Sequence, residues 1–213
     1  MQSLGLPYPR ARVINHASQA GDASEGLRFP VVIKPNIGGS GKGVTRFNSR
    51  EELESAIASG SIDLGLDSTA LVQEFIPAKD DHIVRVEVLG GRYLYGIKVH
   101  ITGETFDLCP ADICRTTDGV ELQPNSACVV EAHKAGLRLE AYTPPTHVID
   151  AVERIARSAS IEVGGIEYIT DARDGALYYY DINALSNFVS DGPALIGFDP
   201  FDRLVDFLIE EAR

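Results

Sequence analysis

Three oxygen-bearing side chains near the C-terminus have the spacing of a metal site. Two strand-forming runs, residues 166–169 and 177–182, flank the hairpin signal Asp174-Gly175. If the strands pair around Asp174, Glu167 lies opposite Asp181, and the two-residue period of a strand puts Asn183 on the face of Asp181. The pattern predicts two carboxylates and one amide on one patch of an antiparallel sheet.

This patch requires a compensating cation, because carboxylates that face each other across strands repel. Hard oxygen ligands with open coordination positions suit Mg²⁺ held between protein carboxylates and substrate phosphates. A solvent-exposed acidic face, which needs no metal, is the alternative interpretation of the same residues.

A glycine-rich segment follows a short apolar strand, residues 29–35, that contains Lys34. The segment, N-I-G-G-S-G-K-G-V over residues 36–44, leads into another strand. Glycine lets backbone N–H groups approach phosphates, which predicts a flap joining two strands of a hairpin. The loop matches neither the Walker A nor the dinucleotide pattern, and a flexible turn with a solvated Lys42 is the alternative. Burying the charge of Lys34 in an apolar strand costs free energy unless an anionic partner is present.

A second hairpin is predicted around the two-residue turn Gly90-Gly91. This turn predicts a core face formed by Val84, Val86, Val88, Tyr93, Tyr95 and Ile97. It predicts a second face that carries Arg85, Glu87, Gly96, Lys98 and His100. The cations of that face could reach a triphosphate. A sheet face of mixed charge that is merely half exposed is the alternative.

Capping signals predict three helices. The first begins after Ser49, the second covers residues 148–159, and the third begins after Asp199-Pro200. The stretch from 103 to 146 is predicted to be largely loop, with a short helix over 127–135. Loops of this length are uncommon unless they are functional, and an inserted packing element is the alternative.

Composition excludes several classes of protein. The chain has 213 residues, 44% hydrophobic and 23% charged, and a net charge of −12, which argues against nucleic acid or an anionic membrane as the main partner. It has no apolar run of 18 residues and no signal-peptide pattern at its start, so a cytoplasmic location is expected. Cys109, Cys114 and Cys128 are predicted to be free thiols, since their number is odd and their spacing is not that of a usual zinc pair.

The order of these motifs resembles the ATP-grasp superfamily, nearest to its RimK-type carboxylate-amine ligases. The motifs are V-V-I-K-P, G-G-S-G-K-G-V, L-V-Q-E-F-I, an Arg nine residues later, G-I-E-Y-I and Y-D-I-N. The resemblance implies an α+β fold with two lobes, residues 1–76 and 77–213, whose antiparallel sheets enclose a nucleotide cleft. It also implies that the preceding domain of such ligases is missing here.

The resemblance implies a role for each matching residue. Lys34 and the loop residues Gly39, Ser40, Gly41, Lys42 and Gly43 resemble the phosphate-binding groups of the family. The stretch Gln73, Glu74, Phe75 and Ile76 resembles the hinge whose main chain pairs with adenine. Arg85 resembles the arginine beside the transferred phosphate, with Lys34 as the second catalytic cation and Lys98 as a further nucleotide contact. Glu167, Asp181 and Asn183 resemble the ligands of Mg²⁺, or of Mn²⁺.

The implied activity is ATP-dependent ligation of a carboxylate to an amine or thiol through an acyl phosphate. The implied partners are a small-molecule or peptide carboxylate and an amine acceptor, without nucleic acid or membrane, and a homodimer is compatible with them. An ATP-binding module without ligase activity and a small-molecule kinase are the alternatives. The chain has Asp181 where relatives usually have Glu, and Ile83 where they usually have Asp.

Overall fold

The chain forms two compact units, each built on its own antiparallel sheet. The computed structural model describes residues 1–37, 43–101, 138–184, 188–189 and 191–213. The four-stranded unit is Pro9–Pro77, and the five-stranded unit combines Met1–Tyr8 with the described residues from Ala78 onward. The predicted α+β class with antiparallel sheets is confirmed. The first eight residues, which the sequence assigned to the first lobe, lie in the five-stranded unit.

The sheet of the four-stranded unit has the order β1-β4-β2-β3, with every neighbouring pair antiparallel. Its strands are β1 (Ala11–Ile14), β2 (Val31–Pro35), β3 (Thr45–Phe47) and β4 (Ala70–Glu74), and its helices are α1 (Ala20–Ala23) and α2 (Arg50–Ser59). The predicted hairpin is confirmed, since Ile33 of β2 pairs with Thr45 of β3. Residues 38–42 of the connecting glycine loop lie outside the described residues.

One face of this sheet and helix α2 form the core of the four-stranded unit. Val31, Ile33 and Val72 face the core and are almost fully buried. The helix begins where the sequence predicts, because the Ser49 side chain accepts a hydrogen bond from the Glu52 N–H at 3.3 Å. Leu53 projects from α2 into this core with no exposed surface.

The sheet of the five-stranded unit has the order β7-β6-β5-β8-β9 and is also antiparallel throughout. Its strands are β5 (His82–Leu89), β6 (Arg92–His100), β7 (Leu139–Ala141), β8 (Val163–Thr170) and β9 (Leu177–Ala184), and its helices are α3 (Thr146–Ser158), α4 (Gly192–Ile196) and α5 (Pro200–Glu211). Among the described residues, no helix combines the length and apolar character that crossing a bilayer requires.

Helix α3 covers one face of the five-stranded sheet. Val148, Val152 and Ile155 follow the helical period and pack with the β5 valines in one core cluster. The N-terminal segment lies against the same unit, because Pro7 O accepts a hydrogen bond from Tyr179 N at 3.0 Å. The Arg154 guanidinium also donates to Leu4 O at 2.8 Å.

An irregularity in β6 changes which residues share a face. The pairing shifts between Glu87 and Val88, so that Val88 pairs with Tyr93 but Glu87 pairs with Tyr95, and Leu94 is the extra residue. A one-residue shift reverses every side chain beyond it. The predicted grouping of Arg85 with Lys98 and His100 on one face is therefore wrong. Arg85 pairs with Ile97, and Lys98 pairs with Val84 on the core face.

The cavity left by truncating Leu53 provides a test of the four-stranded core. Leu53→Ala is expected to lower the free energy of unfolding by about 2–4 kcal/mol, because the buried site cannot collapse fully. Urea denaturation measures the change. Leu66→Ala is the matched control, since Leu66 is 92% exposed, and it should change stability by less than about 0.5 kcal/mol. An equal effect of the two substitutions would contradict the assignment of Leu53 to the core.

Candidate functional site

The three predicted metal ligands lie together on strands β8 and β9. Glu167 pairs directly with Asp181, as predicted, and Asn183 pairs with Gly165. The Asn183 side-chain N–H donates to Glu167 Oε1 and to Asp181 Oδ2, both at 3.3 Å. Asp181 and Asn183 are partly exposed, whereas Glu167 is buried.

A second register shift adds a tyrosine to this group. The β8–β9 pairing changes between Glu167 and Tyr168, which leaves Tyr180 as the extra residue of β9. Its hydroxyl donates to Glu167 Oε2 at 2.6 Å. Burial, followed by the negative charge of Glu167, raises the pKa of the Tyr180 phenol well above its ordinary value. Tyr180 therefore stays neutral and remains a hydrogen-bond donor.

Arg85 is the cation that compensates these carboxylates within the protein. It pairs with Glu167 across β5 and β8, and its Nη1 donates to Glu167 Oε1 at 2.9 Å. Its Nε donates to Glu87 Oε1 at 2.6 Å. All three side chains are buried. Burial alone would lower the pKa of Arg85, but Glu87 and Glu167 outweigh it and raise the pKa above its ordinary value.

The guanidinium of Arg85 lies over Gly165, where no larger residue fits. A Cβ atom at this position would lie 2.8 Å from Arg85 Nη2 and 2.9 Å from Nε. Gly165 pairs with both Glu87 and Asn183, so it occupies the centre of the patch. The glycine is needed for this close approach of Arg85 to the sheet.

The donor set fits a hard divalent cation that also binds other oxygen ligands. Glu167 and Asp181 supply carboxylates, and rotation of the Asn183 amide by half a turn would present its oxygen. In the described part of the chain, no group of three His, Cys, Asp or Glu side chains could hold a metal ion. A metal bound here therefore needs further oxygens, such as those of nucleotide phosphates.

The predicted phosphate lysine and hinge lie in the four-stranded unit. Lys34 pairs with Leu71, and Gln73 pairs with Val32. The two-residue period places Lys34 and Gln73 on the same face of the sheet, opposite to the core. Within the hinge, Glu74 N donates to Arg10 O and Phe75 N donates to Pro30 O, both at 2.9 Å.

The Glu74 side chain is bound within its own unit. Its carboxylate accepts hydrogen bonds from the Arg10 guanidinium and, at 2.8 Å, from Arg28 N. Burial opposes ionisation of this carboxyl, but the bonds from Arg10 and Arg28 prevail and hold its pKa below the ordinary value. The Glu74 side chain thus stabilises the position of the hinge.

Some of the predicted nucleotide-binding residues lie outside the described residues, and Lys98 lies away from Arg85. Gly39, Ser40, Gly41 and Lys42 lie outside the described residues, as do the three cysteines and the predicted helix over 127–135. Gly43 is described and has a φ of +79°. Lys98 lies on the face opposite to Arg85, with its Nζ 3.5 Å from Glu140 and 4.8 Å from the Tyr142 ring centre.

The sequence argument missed Glu87 and Tyr180. Glu87 follows Arg85 by two residues, the spacing that places both on one face of a strand, and this signal could have identified it. Tyr180 carries no such signal, because regular pairing would turn it away from Glu167.

Comparison with known proteins gives a family match for part of the chain and a fold match for all of it. A model of the RimK-like ATP-grasp domain matches residues 2–106. In fold, the chain matches the ATP-grasp ligase PsnB complexed with its minimal precursor, with a TM-score of 0.64 and 19% identity over 100% of this chain and 57% of that one. Residues 2–106 thus match the RimK-like ATP-grasp family, and the chain has the ATP-grasp fold. The D-cycloserine synthetase DcsG shares this ATP-grasp fold, with a TM-score of 0.66 and 17% identity over 100% of this chain and 67% of that one.

Two curated relatives match parts of this ATP-grasp chain. The carbamoyl phosphate synthase large chain of Thermotoga neapolitana is 26% identical over 187 residues, which cover 86% of the chain and 15% of the relative. The D-alanine–D-alanine ligase of Pseudomonas putida is 36% identical over 93 residues, which cover 44% of the chain and 27% of the relative. The chain thus corresponds to a small part of each relative's length.

Substitution of Gly165 tests the close packing beneath Arg85. Gly165→Ala is expected to displace the guanidinium from its carboxylates and to lower the free energy of unfolding by about 1–3 kcal/mol. Chemical denaturation provides the measurement. Gly21→Ala is the control, since the nearest atom to a Cβ there is 3.7 Å away, and it should not destabilise the chain. Unchanged stability of Gly165→Ala would contradict the packing described.

The lowered pKa of Glu74 predicts how its contribution to stability depends on pH. The folded state binds this proton less tightly than the unfolded state, so the contribution is present above pH 4.5, the ordinary value, and is lost as pH falls through the folded pKa. Glu74→Gln should therefore be less stable than the parent chain at pH 7. This difference in stability should shrink as the pH falls below 4.5. Urea titrations across this range measure it. Glu211→Gln, at an exposed helix end, is the control, and a margin independent of pH would refute the prediction.

Proposed function

We propose that the chain is an ATP-dependent ligase that activates a carboxylate as an acyl phosphate for attack by an amine or a thiol. The observation that carries the proposal is the direct pairing of Glu167 with Asp181, with Asn183 and Arg85 beside them. Two carboxylates and an amide beside a fixed cation, in a chain with the ATP-grasp fold, support this proposal.

In this proposal the hinge binds adenine through its main chain. The N–H groups of Glu74 and Phe75 are already bound to carbonyls of their own unit. Among the described hydrogen bonds none involves the N–H of Ile76, so we assign this group to adenine as the donor. Lys34 would bind the phosphates, together with the glycine loop of Gly39, Ser40, Gly41, Lys42 and Gly43.

Glu167, Asp181 and Asn183 would hold Mg²⁺, or Mn²⁺ in its place. When bound by these residues, the ion would supply positive charge that offsets the negative charge of the phosphates during transfer. The hydrogen bonds from Tyr180 and Arg85 fix the Glu167 carboxylate in one orientation. Such fixed orientation of a ligand by its neighbours is a common way to set the geometry of a metal site.

The proposed reaction has two steps. A carboxylate oxygen of the substrate bonds to the γ-phosphorus as the bond from that phosphorus to the leaving oxygen of ADP breaks. The nitrogen or sulfur nucleophile then attacks the acyl carbon and expels phosphate, while its proton passes to a base or to water. Lys34 and Arg85 would contribute positive charge that lowers the energy of the transferring phosphoryl group.

The nature of the relatives favours amino acids or peptides as substrates. One curated relative is a D-alanine–D-alanine ligase, and one solved neighbour is a ligase in complex with a precursor peptide. We therefore propose a small-molecule or peptide carboxylate as the first substrate and an amine as the preferred acceptor.

Nucleotide binding provides the first test of the proposed site. Asp181→Ala and Lys34→Ala should each weaken binding of Mg²⁺-ATP by at least about tenfold, since each loses a direct charge contact. Calorimetry with and without Mg²⁺ measures the affinity, and circular dichroism checks the fold. Asp150→Ala and Arg157→Ala, both at exposed positions of α3, are the matched controls. Full affinity in either test variant would remove that residue from the site.

Trapping of the intermediate then separates the ligase from the alternatives. Hydroxylamine should convert an acyl phosphate into a hydroxamate, with ADP release that depends on an added amino acid or short peptide. A stable phosphorylated product would indicate a kinase, and ATP binding without turnover would indicate a binding module.

A further inference from the structure

Glu87 is a buried carboxylate whose charge the proposed reaction does not use. It is 1% exposed and pairs with Tyr95 on β6 and with Gly165 on β8. Its Oε1 accepts the 2.6 Å hydrogen bond from Arg85 Nε. Its Oε2 is buried without a hydrogen-bond partner among the described residues. Burying a carboxylate oxygen without a hydrogen bond costs free energy, so the presence of Glu87 needs a physical explanation.

Stability is a poor reason for retaining it. Removing two charges from water costs about as much as their attraction returns, and apolar replacements of a buried pair are often neutral or stabilising. Here two carboxylates share one guanidinium, which makes the arrangement more costly than a simple pair. The arrangement therefore indicates that Glu87 has a role in the electrostatics of the candidate metal site.

The sharing of Arg85 changes the net charge next to the metal ligands. Arg85 with Glu167 alone would be a neutral pair, whereas Arg85 with Glu87 and Glu167 carries a net charge of about −1. Glu87 binds the Nε edge of the guanidinium and Glu167 binds Nη1. Glu87 thus takes a share of the positive charge that would otherwise act on Glu167.

We propose that Glu87 is a positioning residue that holds Arg85 by Nε and so keeps Glu167 negative enough to bind a divalent cation. This inference rests on the proposed function, because it assigns a metal to Glu167, Asp181 and Asn183. Glu87 acts through Arg85 and does not itself bind the metal.

Metal affinity tests this role without any measurement of turnover. Mn²⁺ is titrated into the chain at saturating ADP and followed by electron paramagnetic resonance, which counts free Mn²⁺. Glu87→Gln should bind Mn²⁺ about tenfold or more weakly than the parent chain, because Arg85, released at Nε, would then neutralise Glu167 more fully. Glu140→Gln is the matched control, since it removes the same charge from the same sheet beside Lys98, away from Arg85, and its affinity should be unchanged.

A second pair of variants separates positioning from direct attraction and does not require the single variant to fold. Arg85→Met and the double variant Arg85→Met with Glu87→Gln should bind Mn²⁺ with affinities within about threefold of each other, since no guanidinium is left to hold. If Glu87→Gln lowers the affinity for Mn²⁺ equally in the presence and in the absence of Arg85, the positioning role is overturned.

The remaining outcomes distinguish this inference from the proposed function. If the parent chain binds Mn²⁺ with ADP, and Asp181→Ala does not, but Glu87→Gln binds as well as the parent, only the role of Glu87 is overturned. If the parent chain binds no Mn²⁺ with ADP, the proposed metal site and the role of Glu87 are overturned together.

Discussion

The sharing of one guanidinium between two carboxylates is the interaction on which the candidate site depends. Arg85 donates to Glu87 on its own strand and to Glu167 on the neighbouring strand, and all three are buried. Like charges on adjacent strands repel, so neither carboxylate would remain in place without it. Gly165 permits this contact because it leaves room for the guanidinium against the sheet.

The geometry around this interaction depends on two single-residue irregularities. The shift at Glu87 in the β5–β6 pair turns Lys98 toward Val84 and away from Arg85. The shift at Glu167 in the β8–β9 pair leaves Tyr180 able to bond the carboxylate that Arg85 also binds. Bulges of this kind commonly occur beside functional sites, where they redirect individual side chains.

Much of the sheet was predictable because alternation and turn signals act locally. The pairing of Glu167 with Asp181 followed from a hairpin around Asp174, and the cap at Ser49 followed from its spacing to Glu52. The grouping of Arg85 with Lys98 failed because nothing near Leu94 in the sequence marks a bulge, and its effect extends along the whole strand. The contact of Glu87 with Arg85 was accessible from their two-residue spacing, whereas nothing in the sequence marks Tyr180 as the extra residue of β9.

The extra residue in β6 also has an evolutionary consequence. Because Leu94 is the extra residue between the pairs Val88–Tyr93 and Glu87–Tyr95, loss of its single codon would make the β5–β6 ladder regular and keep Lys98 opposite Val84. Insertions and deletions of one residue are common genetic events, and a deletion at this position would leave the charge of both sheet faces unchanged. Descendants of one ancestral strand can therefore gain or lose the residue at position 94 without any change in the cations that each face presents.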